Sequence, residues 1–118
     1  MIRGVHHVAI STPDLDRFVD HYERWFGFER CCEGGWEKVN AHVDRMIGLP
    51  GSAARYVMIR LSGFYIEVFE FAAPLAVPVY PRMCDVGLTH LCLYCEDVFA
   101  EHERPARLGH GIQLPPTW

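Results

Sequence analysis

Residues 4–14 read GVHHVAISTPD, and residues 87–97 read GLTHLCLYCED. In each, a histidine (His7 or His90) precedes a short apolar run and stands seven positions before an aspartate, Asp14 or Asp97. A segment with helical spacing follows each aspartate and ends at a glycine, Gly27 or Gly109, which lie 20 and 19 positions after their histidines. Matching spacings over that length mark an internal repeat whose unit is a strand, a turn and a helix.

Working outward from the first copy, Thr12 is the expected N-cap and Pro13 the first helical residue, with Asp14 and Asp16 at the positive end of the helix dipole. Phe18, Tyr22, Trp25 and Phe26 recur at helical spacing and predict a core-facing stripe, closed by Gly27. Residues 28–32 predict a strand, and NAHVDRMI (40–47) a helical turn before the GLPG loop. RYVMIRL (55–61) and FYIEVFEF (64–71) are β-branched and aromatic; with Ser62-Gly63 between them they predict a hairpin. APLAVPVYPRM (73–83) carries three prolines and reads as a linker.

The second copy offers a strand, a helix from Asp97 to Leu108 that Pro105 should shorten or break, and a short segment GIQLPP (111–116). It has no room for a closing hairpin. The expected architecture is therefore α+β, with paired βαβββ modules forming a curved mixed sheet and the second module incomplete. The expected organisation is one domain over 1–118: a first module at 1–72, a linker at 73–86 and a partial second module at 87–118. An open second unit leaves a sheet edge to be covered, which predicts a homodimer, in one form with exchanged segments.

The totals narrow the function. A net charge of -4 over 118 residues, with no basic face, argues against nucleic-acid binding. No uncharged run reaches membrane-spanning length and no secretory leader opens the chain, so a cytoplasmic protein without a membrane partner is expected. Five cysteines, an odd number, fit free thiols better than a disulfide framework. Cys92 and Cys95 form a C-x-x-C, but positions three apart on a strand point to opposite faces and cannot share an ion.

Period-two alternation then assigns faces. Val5, His7 and Ala9 share one side of the first strand, while His6, Val8 and Ile10 share the other. In the hairpin Tyr65, Glu67, Phe69 and Phe71 lie together; if Leu61 opposes Phe64, then Arg60 opposes Tyr65 and Met58 opposes Glu67. Glu67, flanked by Ile66 and Val68, needs a cation, because burying an unpaired carboxylate costs several kcal/mol, on the order of the penalties for buried ions. Either Arg60 supplies it, or a divalent metal does. Two imidazoles and a carboxylate from matching strands suit a first-row ion with open positions, and on that ground metal is favoured.

GVHHVAISTPDL with HYERWFGF resembles the opening of the vicinal oxygen chelate superfamily, which includes glyoxalases, epimerases, thiol transferases, extradiol dioxygenases and bleomycin-binding proteins. GLTHLCLYCEDV resembles the start of its second module, and FYIEVFEF the closing strand of its first. The resemblance covers nearly the whole chain and implies a glyoxalase-like fold. It implies His7, Glu67 and His90 as ligands of one divalent ion (Zn, Ni, Co, Mn or Fe). It also implies a further ligand, often Glu, from a last strand that this sequence does not reach. The activity implied is that of a lyase or isomerase of the glyoxalase/epimerase type, acting on a small substrate with vicinal oxygens through a metal-stabilised enediolate. Glu67 is then the catalytic carboxylate, Arg60 the anchor for a substrate anion, and Tyr56, Tyr65, Phe69 and Tyr94 the apolar lining. The alternatives are a metal-free small-molecule binder of the bleomycin-sequestering kind and a ferrous extradiol-type dioxygenase.

Overall fold

The structure is a computed structural model, and it describes residues 1–107. Gly109 and the segment 111–116 lie outside the described residues. The elements are β1 (His7–Ser11), α1 (Leu15–Phe26), β2 (Glu29–Trp36), α2 (Ala41–Ile47), β3 (Ala53–Leu61), β4 (Phe64–Ala73) and α3 (Val98–Arg107). The chain forms two compact units, one over Met1–Pro78 and one from Val79 onward. The boundary falls inside the proline-bearing stretch.

The first unit is a four-stranded sheet in the order β1-β4-β3-β2. β1 runs parallel to β4, and the β4–β3 and β3–β2 pairs are antiparallel. The hairpin turn is the expected one: Leu61 opposes Phe64, Arg60 opposes Tyr65 and Met58 opposes Glu67. A two-residue connection leaves no slack in register, so the turn fixes the cross-strand pairs from Leu61–Phe64 to Ala54–Phe71, beyond which a bulge shifts the pairing to Ala53–Ala73. Alternation then sends Val57, Ile59, Ile66 and Val68 to one face, where all four are buried against α1. Leu15 and Val19 are the helix residues that meet them, at 2% and 0% exposure.

Three helical expectations are corrected here. The N-cap of α1 is Asp14, not Thr12: its carboxylate accepts from the Arg17 amide at 3.0 Å, and the helix begins at Leu15. Pro13 therefore precedes the helix, and Thr12 braces the turn through its hydroxyl, 3.3 Å from the Asp14 amide. The aromatic stripe flanks the core instead of forming it. Phe18 stacks on Tyr22 at 4.5 Å, and Tyr22 meets Phe26 and Phe28 edge-on at 5.3 Å each. Burial of the Tyr22 ring raises its hydroxyl pKa. Finally, α3 continues through Pro105 to Arg107. The proline removes one rung, to the Glu101 carbonyl, and the described helix runs two residues past it.

α1 is tied to the sheet by charge as well as by packing. Glu70 on β4 accepts from the Leu15 amide at 2.7 Å and from Arg55 at 2.9 Å, and Arg55 also reaches Asp16 at 2.9 Å. The Arg55 guanidinium, and then the Leu15 amide, hold the Glu70 carboxyl below its ordinary pKa.

The second unit departs most from expectation. Residues 88–95 form no strand, and among the described residues of that unit the only regular element is α3. Leu88 is 65% exposed and Tyr94 106%. The helix nevertheless starts where the repeat predicts: the Asp97 carboxylate accepts from the Phe99 and Ala100 amides at 2.9 and 3.0 Å. With no strand at residues 92–95, the two-face argument about Cys92 and Cys95 no longer applies. Both are exposed free thiols.

Candidate functional site

The sheet face turned away from α1 carries the polar and aromatic side chains. On β4 these are Tyr65, Glu67, Phe69 and Phe71, the alternate set to buried Ile66 and Val68. Parallel pairing lays His7 beside Tyr65 and Ala9 beside Glu67. Because Ala9 has almost no side chain, the His7 ring can reach Glu67 across it. His7 Nε2 stands 3.3 Å from Glu67 Oε2, with the two side chains 38% and 22% exposed.

Glu67 thus finds its partner in His7 and not in Arg60. Arg60 turns to Glu29 across the β3–β2 pair at 3.0 Å. The Glu29 carboxylate, followed by the Tyr65 hydroxyl, holds the Arg60 pKa above its ordinary value.

His6 is also on this face, contrary to the alternation argument, because β1 begins only at His7 and the residue before it is free of the pleat. Its ring stacks on Tyr65 with centroids 4.8 Å apart and planes 10° apart. Its Nδ1 lies 2.9 Å from His7 Nδ1. A continuous series of contacts therefore runs from Glu29 through Arg60, Tyr65, His6 and His7 to Glu67.

Beyond Glu67 the face becomes an aromatic wall. Phe69 meets Tyr56, Trp36 and Phe71 at 5.9, 6.0 and 5.9 Å, and Trp36 also meets Phe71 at 5.9 Å. Trp36 was not singled out from the sequence. The available signal was Gly34-Gly35 just before it: a Cβ on Gly34 would come 2.9 Å from the Tyr56 ring, so the glycine lets that ring lie across β2. The indole is anchored at its polar edge. Trp36 Nε1 donates to Ser52 Oγ at 2.9 Å, and the Ser52 hydroxyl donates to Asp44 Oδ1 at 3.2 Å. Ser52 is fully buried.

His90 and Tyr94 belong to the second unit. The His90 ring lies 2.9 Å from the Thr89 hydroxyl through Nδ1, and both His90 and Tyr94 are exposed. Among the described residues, no three or more His, Cys, Asp or Glu side chains stand close enough to hold a metal ion. The His7–Glu67 pair supplies two. Ligand atoms each about 2.1 Å from one ion stand roughly 3.0–3.4 Å apart at right-angled to tetrahedral openings, and the imidazole–carboxylate separation matches that span. Among the described residues, no helix is long and apolar enough to cross a membrane.

Known proteins share this fold. A solved structure of a glyoxalase family protein from Bacillus cereus superposes with a TM-score of 0.79 at 18% identity, covering 92% of this chain and 74% of that one. The structure of the protein SMU.1112c gives a TM-score of 0.61 at 27% identity, covering 92% and 77%. In sequence, 102 residues are 35% identical to a 2-epi-5-epi-valiolone epimerase from an Actinomyces species. The match takes in 85% of this chain but spans only 56% of that relative's length. The sequence profile of the Glyoxalase/Bleomycin resistance protein/Dioxygenase superfamily matches residues 6–112, which includes the repeat, the hairpin and the face that carries His7 and Glu67. The chain belongs to that superfamily.

Proposed function

We propose that this chain is an isomerase of the epimerase type that moves a proton on a carbon beside a carbonyl in a small, oxygen-rich substrate. The observation that carries the reading is the 3.3 Å approach of His7 Nε2 to Glu67 Oε2 on the open face of the sheet. The likeness to an epimerase supports the reaction class.

His7 and Glu67 would hold one divalent first-row ion, with His90 as a third ligand, from this chain or from a second copy in a homodimer. The repeat supports His90, since Asp14 and Asp97, each seven residues after its histidine, cap α1 and α3 in the same way. When bound, such an ion supplies a Lewis acid for the substrate's paired oxygens. Glu67 is the carboxylate that holds or moves the proton, since its side chain stays partly open on that face. The aromatic wall of Trp36, Tyr56, Phe69 and Phe71 excludes water on one side of the substrate. Arg60, already engaged by Glu29, orients a substrate anion only by sharing its guanidinium.

The test is exchange of solvent deuterium into polyhydroxy ketones, followed by proton NMR, with protein reconstituted in Co²⁺ or Zn²⁺. Wild type is expected to exchange one carbon-bound proton, and Glu67→Gln to lose at least a hundredfold in rate, as expected for removing a positioned proton carrier. Equal rates in the two proteins would overturn the reading. The aromatic wall also favours a second reading, capture of a planar aromatic molecule without turnover. In that case such ligands would bind with the same affinity in wild type and in Glu67→Gln.

A further inference from the structure

We propose that Cys31, Cys32 and Met58 form a soft-metal site on the open face of the sheet, which takes one monovalent copper ion through two thiolates and a thioether. The inference goes beyond the epimerase reading and does not rest on it.

Consecutive residues of a strand ordinarily point to opposite faces and so share no ion. In β2 the pairing with β3 slips. Glu29 opposes Arg60 and Arg30 opposes Ile59, but Cys32 opposes Met58, so one residue, Cys31, is extra. Before this bulge Glu29 lies on the open face, where it meets Arg60, and Arg30 turns to α1, where it meets Asp20 and Glu23. Cys31 follows the parity of Glu29. Beyond the bulge Cys32 takes the face of Met58, which opposes Glu67 on β4 and alternates with buried Val57 and Ile59. The bulge therefore turns both thiols to one side. Directly opposed side chains on one face have Cβ atoms about 4.5–5.5 Å apart, which brings the Met58 thioether within reach of the Cys32 sulfur.

What three sulfurs can hold follows from spacing and softness. Neighbouring Cα atoms across a trans peptide stand about 3.8 Å apart, short of the roughly 4.4 Å at which an unstrained disulfide begins. A bridging ion is easier to fit: with metal–sulfur bonds of about 2.3 Å, the sulfurs stand roughly 3.8–4.6 Å apart at tetrahedral to linear openings. Among the described residues no His, Asp or Glu joins the two thiols to make a set of three, so the third ligand at hand is the thioether. Thiolates with a thioether select Cu(I) over harder ions. The thiols are exposed and Met58 is half-buried, which leaves the ion an open approach. Binding replaces two thiol protons, which leave to solvent, by one Cu⁺; no oxidation state changes, and the cluster is left with one negative charge. Arg60 is placed to offset it. The Glu29 carboxylate, then the Tyr65 hydroxyl, then the Cys31 sulfur hold the Arg60 pKa up, so its guanidinium lies within electrostatic reach of the thiols.

The test titrates the full chain with Cu(I), supplied as its acetonitrile complex in anaerobic buffer, against the coloured chelator bathocuproine disulfonate. The other three cysteines, all exposed, are first removed as Cys84→Ser, Cys92→Ser and Cys95→Ser. This background is expected to bind one equivalent, with an X-ray absorption spectrum showing three sulfur neighbours at about 2.3 Å. Cys32→Ser should weaken binding at least a hundredfold, beyond the roughly 10- to 100-fold typical of losing an outer partner. Met58→Leu, close in volume, should keep the ion on two sulfurs and bind it about tenfold more weakly. An amide spectrum like that of wild type establishes that each variant folds. No copper on the background protein, or equal affinity in Cys32→Ser, overturns the proposal. An unchanged sulfur count in Met58→Leu overturns the part assigned to the thioether. Excess Co²⁺ should leave the copper in place, which separates this site from the His7–Glu67 pair.

Discussion

The two copies of the repeat carry nearly the same instructions and end in different structures. Residues 7–26 give a strand and a helix, whereas residues 90–107 give a helix without the strand. Both helices are started by the aspartate seven positions after the histidine. What separates the copies is a partner. β1 exists because β4 lies alongside it, offering a ladder from Tyr65 to Phe69. Residues 88–95 alternate apolar side chains just as well, but no described residue pairs with them. A capped helix turn is settled within four residues, while a strand is half of an arrangement whose other half lies elsewhere in the sequence.

The strongest way to break this comparison is to attack the ladder of one copy and the apolar run of the other. Ile66, with no exposed surface, packs in the centre of the first unit, and Ile66→Ala should cost about 2–5 kcal/mol in denaturant unfolding. Leu91→Ala, in the unpaired run, should stay within about 0.5 kcal/mol. Comparable losses at both sites would mean that the second run is packed after all.

A smaller effect separates the units by pH. The folded-state pKa of Glu70 is depressed, so its tie to Arg55 and Leu15 stabilises the first unit above the unfolded carboxyl pKa of about 4.3. That contribution is lost as pH falls through the lower folded value. Thermal midpoints measured between neutral and strongly acidic pH should fall at the acid end in wild type and fall less in Glu70→Gln. The amide protection pattern of α3, followed in the same samples, should be the same in both proteins.

The smallest effect sharpens the likeness between the copies. Asp14→Ala and Asp97→Ala each remove a cap, and each should weaken its own helix by about 1 kcal/mol, read from amide exchange of the first helical turn. Unequal losses would show that the two caps are not equivalent.

The same division between local and distant information explains what could be read from the sequence. The hairpin register was legible because two turn residues determine it, and so was the open face bearing Tyr65, Glu67 and Phe69. The position of the α1 cap was misread by two residues, because Thr12-Pro13 imitates a cap followed by a first helical residue. His6 was placed on the wrong face because alternation was extended one residue past the end of β1. Trp36 went unnoticed because its strand is an exposed edge whose value lies in what crosses it. The pairing of Glu67 with His7 over Arg60 depended on where Glu29 falls across the sheet, which no local pattern encodes.

The bonds from the Trp36 indole through Ser52 to Asp44 have a consequence for anything that settles on the open face. Freezing a mobile side chain on association ordinarily costs about 0.5–1.5 kcal/mol. Here the folding of α2 and its loop has already frozen the largest ring of the wall. A visitor meets a surface set in advance, and its grip depends on shape and not on persuading the tryptophan to hold still.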